Sequence, residues 1–152
     1  MASLKLPKYL FSLLLLLNGL SVSAADSEFG RVIHANGKNP GSAIDLSAIL
    51  SKDADTLLFI HSPHCGPCKR IEPKIKKLAK AKHDLKIVDV LLDSKNDDGI
   101  GFDSEAARQF DIHSVPEFRI YDRKGELVER GDPADDKVDD WLVQYKIKKK
   151  DQ

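Results

Sequence analysis

The only two cysteines of this 152-residue chain stand two residues apart, in the sequence Cys65-Gly66-Pro67-Cys68. The apolar run 56–60 before them predicts a buried strand, and the spacing of apolar residues over 69–82 predicts an amphipathic helix after them. Cys65 is therefore expected at a helix N-terminus, where unpaired backbone N–H groups and the helix dipole favour a thiolate. A thiolate with a second sulfur close by attacks a disulfide and is then released by its neighbour. The pair thus predicts a dithiol–disulfide exchange centre.

Both sulfurs are used in this one motif, so no cysteine remains for a long-range structural disulfide. Exported proteins that depend on disulfides for stability usually have several pairs. We therefore expect the chain to fold on its hydrophobic core alone, with the dithiol available for reaction.

The N-terminal segment has the pattern of a secretory signal peptide. Its only charges are Lys5 and Lys8, an apolar run covers 9–17, and small residues follow ahead of the first acid, Asp26. The apolar run is shorter than the roughly 20 residues that span a bilayer, which favours removal over the alternative of an uncleaved membrane anchor. We predict a signal peptide at 1–25, a mature domain at 26–152, and export to a bacterial periplasm or out of the cell.

The charge of the predicted mature domain is nearly balanced. The whole chain has 24 basic and 24 acidic residues, and removal of Lys5 and Lys8 leaves a formal charge of −2. This balance gives no argument for binding to nucleic acid or to a membrane surface. The length suits one compact domain, which we expect to act as a monomer.

The hydrophobic pattern predicts the element order β-α-β-α-β-α-β-β-α. Asp103 or Ser104 is expected to cap the third helix, and Asp132, followed by Pro133, is expected to cap the fourth. Strands followed by helices, then a closing hairpin and helix, predict a mixed β-sheet flanked by helices on both faces. The strands are predicted at 29–34, 56–60, 85–92, 118–121 and 126–129, and the first three helices at 45–50, at 69–82 and up to 110.

With these elements in order, the mature region resembles the thioredoxin family. The resemblance rests on the dithiol, on Pro73 five residues after the second cysteine, and on Val115-Pro116, which is similar to the segment that carries the family's cis-proline. Gly125 in the hairpin and Gly131 before the last helix also fall at similar positions. The resemblance implies a thioredoxin fold and a protein-disulfide oxidoreductase. It also implies no separate cofactor, because the redox-active disulfide itself exchanges electrons.

The resemblance implies roles for individual residues. Cys65 would be the exposed attacking sulfur, and Cys68 the less accessible resolving sulfur. Pro116, if cis, would face the sulfurs and leave the backbone of Val115 free to pair with an extended substrate segment. The alternative is an ordinary trans proline that opens a strand. Protein thiols and disulfides would be the substrates, and a membrane-bound or soluble redox partner would recycle the dithiol.

Three positions depart from the thioredoxin pattern. His64 stands where the family usually has tryptophan, Phe59 where it has a buried aspartate, and Asp89 where it has a lysine on the neighbouring strand. Since Phe59 is apolar, one hypothesis is that Asp89 serves as the proton acceptor for Cys68 and tunes its reactivity. The simpler interpretation, which the sequence favours, is a solvated aspartate on a strand face.

The residues around the cysteines bear on the reduction potential. An imidazolium at His64 would stabilise the Cys65 thiolate and make the disulfide more oxidising. Gly66 and Pro67, by contrast, resemble the residues between the cysteines of reductive members. We expect a mainly reductive activity, with these three residues tuning the dithiol.

Histidines near the thiols leave a second interpretation open. His61, His64 and the two cysteines would supply ligands for copper or zinc, in a thioredoxin-fold metal-binding module or metallochaperone. His113, three residues before Pro116, is a further candidate ligand. We favour redox tuning and assign no metal ligand.

Overall fold

The computed structural model describes residues 30–93 and 98–149. The predicted signal peptide and the start of the first predicted strand at Phe29 lie outside the described residues. Within the described ranges, no helix has the length and apolar character needed to cross a membrane.

The elements of the described part of the chain follow the predicted order, with bounds that differ by a few residues. The strands are β1 Val32–His34, β2 Asp55–His61, β3 Leu85–Leu91, β4 Glu117–Tyr121 and β5 Leu127–Arg130. The helices are α1 Leu46–Ile49, α2 Gly66–Ala81, α3 Glu105–Phe110 and α4 Asp132–Gln144.

The strands form one mixed sheet in the order β1-β3-β2-β4-β5. β1 and β2 run parallel to β3, whereas β4 runs antiparallel to β2, and β5 to β4. The central strands β2 and β3 are buried along nearly their whole length, because helices cover both of their faces. The predicted mixed sheet is confirmed.

Each face of the sheet has its own hydrophobic core. Side chains that alternate along a strand point to opposite faces. On one face, Leu57, Phe59 and Ile87 pack in a cluster with residues of α2 and α4, and this cluster includes both cysteines. On the other face, Leu58 and Val88 pack in a second cluster with residues of α3. The dithiol therefore lies on the α2–α4 side of the sheet.

α2 begins earlier than the apolar spacing predicts, because the dithiol motif itself forms its first turn. Cys65 is the N-cap, and Pro67 lies in the first turn, where proline's missing N–H costs no helical hydrogen bond. Further along, Ile75 and Leu78 are fully buried. α2 thus begins at the dithiol and packs into the hydrophobic core further along its length.

The predicted cap of α4 is wrong by one residue. Gly131 is the N-cap, with a φ of +61°, and Asp132 is the first helical residue, with Pro133 directly after it. Glycine adopts this left-handed φ without the steric cost of a Cβ atom, which explains why it precedes the helix. Asp132 remains in the first turn, where the helix dipole favours an acid.

Candidate active site

Cys65 and Cys68 are joined by a disulfide at the N-terminus of α2, with their Cα atoms 5.2 Å apart. The backbone N–H of Cys68 donates a hydrogen bond to the sulfur of Cys65 at 3.1 Å. N–H groups of a first helical turn favour negative charge on the atom that they face. Cys65 is therefore the sulfur that is stabilised as a thiolate when the bond is reduced.

Cys65 is more buried than the family resemblance implied. Cys65 retains 3% of its accessible surface and Cys68 none. The expectation that Cys65 is exposed is wrong for this disulfide form, although Cys65 is still the more accessible of the two. The carbonyl oxygen of Val115 lies 3.5 Å from its sulfur, and this contact explains part of the burial.

The segment before β4 lies against the dithiol. The Val115–Pro116 peptide bond is cis. Pro116 lines a groove of about 350 Å³ together with Pro67 of the dithiol motif. Both prolines and the Val115 carbonyl thus surround the reactive end of α2.

One wall of this groove is basic and the other is acidic. α2 contributes Arg70 and Lys74 to it, and α4 contributes Asp135, Asp136 and Asp139. Burial is the main cause that raises the pKa of Asp135, and the neighbouring carboxylates, those of Asp136 and Asp139 among them, raise it further. The α4 wall is therefore a cluster of acids, of which Asp139 forms an ion pair with Lys148.

Asp89 is buried, and the solvated alternative that the sequence favoured is wrong. The residue is 5% exposed, and two imidazoles bracket its carboxylate. His34 Nδ1 lies 2.8 Å from Oδ1 and 2.7 Å from Oδ2, and His61 Nε2 lies 3.3 Å from Oδ2. Sequence reasoning missed this cluster because its members lie on three different strands. The signal available was a histidine at the end of each of the two strands that pair with β3.

Phe59 links this carboxylate cluster to the dithiol. Its ring stacks on the imidazole of His61, with ring centroids 4.4 Å apart and planes 3° apart. The same side chain belongs to the hydrophobic cluster that contains Cys65 and Cys68. Phe59 is also the Cα partner of Asp89 across the β2–β3 ladder. Phe59 therefore packs against His61 of the carboxylate cluster and belongs to the same hydrophobic cluster as the two cysteines.

The other two histidines considered as metal ligands are His64 and His113. His64 is exposed, and its backbone N–H donates to Ser62 Oγ at 2.9 Å. His113 is also exposed and pairs with Asp111 at 3.0 Å. Among the described residues, no three His, Cys, Asp or Glu side chains are grouped as metal ligands. His61 and His113 each contact a carboxylate.

The Cys65–Cys68 disulfide at the N-terminus of α2 and the mixed sheet define a dithiol–disulfide redox protein. A sequence model of the thioredoxin family matches residues 44–144, which is more than half of the chain. The chain belongs to the thioredoxin family. Among curated protein sequences, none matches it.

Solved structures share the same fold. Thioredoxin f from spinach chloroplast is 20% identical with a TM-score of 0.56, over 80% of this chain and 98% of that one. Thioredoxin from Trypanosoma brucei brucei is 18% identical with a TM-score of 0.53, over 79% and 95%. Schistosoma mansoni thioredoxin pre-protein is 26% identical with a TM-score of 0.52, over 76% and 98%. The protein thus has the thioredoxin fold, and its cysteine pair is that of a thiol–disulfide oxidoreductase.

Proposed function

We propose that this protein is an exported oxidoreductase that exchanges disulfides with protein substrates, mainly in the reductive direction. The observation that carries the proposal is the Cys65–Cys68 disulfide at the N-terminus of α2, in a chain of the thioredoxin family. The capping N–H groups make Cys65 the attacking sulfur, and its neighbour one helical turn on is within bonding distance to resolve the product.

Each reductive cycle has two displacements. The thiolate of Cys65 attacks a substrate disulfide, one substrate sulfur leaves as a thiolate, and a mixed disulfide joins Cys65 to the other. Cys68 then loses its proton and attacks Cys65, and the second substrate sulfur leaves with its electron pair. The substrate gains two electrons, and the dithiol becomes the Cys65–Cys68 disulfide. The reverse sequence oxidises substrate thiols.

The dithiol itself is the only redox group that this cycle requires. A redox partner, in the membrane or soluble, must reduce the disulfide before the next turnover. Thioredoxins act on protein thiols, and we propose the same substrate class here. We also propose a monomer, and the nearly neutral charge of the mature chain gives no argument for binding to nucleic acid.

We propose Val115 and Pro116 as the substrate-binding segment. A peptide whose cysteine bonds to Cys65 must pass the Val115 carbonyl, which lies 3.5 Å from that sulfur. Both residues are only partly buried, so an extended peptide has access to them. Pairing between main-chain groups gives affinity without demanding one substrate sequence.

His64, Gly66 and Pro67 are proposed to tune the dithiol. His64 is exposed directly before Cys65, where a positive charge stabilises the thiolate and raises the reduction potential. The two residues between the cysteines form the first turn of α2, whose N–H groups favour the same charge.

Reduction of insulin by the fully reduced protein tests the proposed activity. We expect stoichiometric cleavage of insulin disulfides together with oxidation of Cys65 and Cys68. The Cys65→Ser/Cys68→Ser double variant is the control and should leave insulin intact. Wild-type protein that stays reduced in the presence of insulin, and forms no mixed disulfide with it, would overturn the proposal.

Export is tested separately. Expression of the full chain in a bacterial host should yield a periplasmic product whose N-terminus is Ala25 or Asp26, as read by mass spectrometry. A product that keeps residues 1–24 and sediments with membranes would instead support the uncleaved anchor.

A further inference from the structure

The groove beside the dithiol lies between two helices that begin at the same end of the sheet. α2 follows β2, and α4 follows β5, which runs parallel to β2 because both strands are antiparallel to β4. The disulfide lies at this end, and Pro67 and Pro116 line the groove there. A substrate cysteine that bonds to Cys65 therefore has the groove beside it.

The acids of the α4 wall are not neutralised equally along its length. Asp139 forms an ion pair with Lys148 at 2.9 Å. Asp135 and Asp136 lie about one turn nearer to the disulfide end, and in the described part of the chain they have no ion-pair partner. Burial first, and then the neighbouring carboxylates, raise the pKa of Asp135. The unpaired negative charge of this wall is therefore concentrated near the disulfide.

The opposite wall carries positive charge close to the same end. Arg70 and Lys74 line it, one turn apart on α2. Arg70 Nη1 lies 3.6 Å from the position that a Cβ atom on Gly66 would take, so the guanidinium extends over the turn between the two cysteines. Like charges repel, and a basic side chain that enters the groove is therefore directed away from α2 and towards α4.

Apolar side chains complete the lining of the groove between the charged walls. Ile71 and Phe118 belong to it, together with the two prolines. Lysine and arginine have apolar stems that pack along such a surface while the charged head reaches a carboxylate. The chemistry of the groove thus suits a long basic side chain, with its stem on the apolar residues and its head at the acids of α4.

We propose that Asp135 and Asp136 make the protein select substrates that carry a lysine or an arginine close to the reactive cysteine. The proposal rests on the thiol–disulfide exchange proposed above and names the class of substrate. The bonds that form and break are those of that exchange. The two carboxylates bind the basic side chain while the substrate disulfide faces Cys65, so they increase the rate of attack through binding and take no part in the chemistry.

Three peptide disulfides test this preference. Each is a symmetric dimer of one short peptide with a single cysteine, and the three differ only in having lysine, glutamine or glutamate at the second position on both sides of that cysteine. At low peptide concentration and low salt, the reduced protein should reduce the lysine peptide about 3- to 5-fold faster than the glutamine peptide, the effect of one or two exposed ion pairs. Rates with dithiothreitol, a neutral dithiol, correct for the reactivity of each peptide itself.

Variants of α4 assign the preference to its residues. The Asp135→Asn/Asp136→Asn protein should lose the preference for the lysine peptide, and Asp135→Lys/Asp136→Lys should favour the glutamate peptide instead. Asp140→Asn is the matched control, because Asp140 is an acid of the same helix that does not line the groove, and this variant should keep the preference. Added salt should weaken the preference of the wild-type protein, because it screens exposed charges.

The outcomes separate the two proposals. Equal corrected rates for the three peptides with the wild-type protein would overturn the preference and leave the exchange activity intact. A preference for lysine that persists in the Asp135→Asn/Asp136→Asn protein would also overturn it, because other groups would then be responsible. Wild-type protein that reduces neither insulin nor any of the peptides would overturn the proposed function, and the preference with it.

Discussion

The backbone N–H of Cys68 donates to the sulfur of Cys65 at 3.1 Å, and this contact makes the two cysteines unequal. The donor belongs to the main chain of α2, so it is present whatever side chains surround it. It favours negative charge on Cys65, while Cys68 itself is fully buried. This asymmetry supports the proposal that Cys65 attacks and Cys68 resolves.

This asymmetry predicts opposite effects of two serine variants. Cys65→Ser should abolish attack on insulin disulfides, because the nucleophile is lost. Cys68→Ser should still attack, but its mixed disulfide with insulin should accumulate, because nothing resolves it. Non-reducing electrophoresis and intact mass measure the adduct. An adduct on Cys65→Ser and none on Cys68→Ser would reverse the assignment.

Replacing His64 should make the dithiol more reducing. His64→Gln removes a side chain that gains positive charge in acid and stabilises the neighbouring thiolate. We expect the reduction potential, measured against glutathione, to fall by about 10–20 mV near pH 6, which corresponds to roughly 0.5–1 kcal/mol. His113→Gln is the control, and a potential that rises in His64→Gln contradicts the assignment.

Asp135→Asn should stabilise the protein at neutral pH. Burial and the neighbouring carboxylates raise the pKa of Asp135 in the folded state. The wild-type protein therefore loses stability as the pH rises through that pKa and Asp135 ionises. We expect the free energy of unfolding to increase by about 0.5 kcal/mol at pH 7, the size of a like-charge pair on a helix. In acid below about pH 3.9, where the unfolded-state carboxyl is also protonated, the gain should disappear.

Urea unfolding at the two pH values measures this effect. Asp140→Asn is the matched control on the same helix, because Asp140 is not among the main causes that raise the pKa of Asp135. A destabilised Asp135→Asn at pH 7 would mean that its carboxylate makes a favourable contact that outweighs the repulsion.

Gly101 should tolerate no side chain. A Cβ atom there would lie 2.3 Å from the carbonyl oxygen of Leu92, a main-chain atom that has little freedom to move. Its N–H also donates to the buried carboxylate of Asp93 at 2.9 Å, which fixes its position. Gly101→Ala should therefore lower the free energy of unfolding by about 1–3 kcal/mol, as overpacking does.

The neighbouring glycine supplies the control for that prediction. A Cβ at Gly99 meets no atom within 4 Å of it, so Gly99→Ala should change stability by no more than about 0.5 kcal/mol. Equal melting temperatures for the two alanine variants would contradict the clash at Gly101.

The sequence was sufficient for features that depend on local pattern. The strand before Cys65 and the apolar stripe of α2 follow from hydrophobic spacing, and they correctly position the dithiol. The surroundings of Asp89 were not predictable in this way, because they depend on the pairing register of β1 and β2 with β3. The burial of Cys65 was missed for a similar reason, since its covering carbonyl at Val115 comes from a distant part of the chain.

The carboxylate of Asp89 lies between His34 of β1 and His61 of β2. This arrangement also affects how the sheet assembles. Val32, Ile33 and His34 pair with Ile87, Val88 and Asp89 in parallel register. A slip of β1 by one residue would turn His34 to the opposite face and leave Asp89 without its closest partner. The cluster therefore penalises misaligned strands, and it helps β1, a strand of only three residues, to find a single alignment on the edge of the sheet.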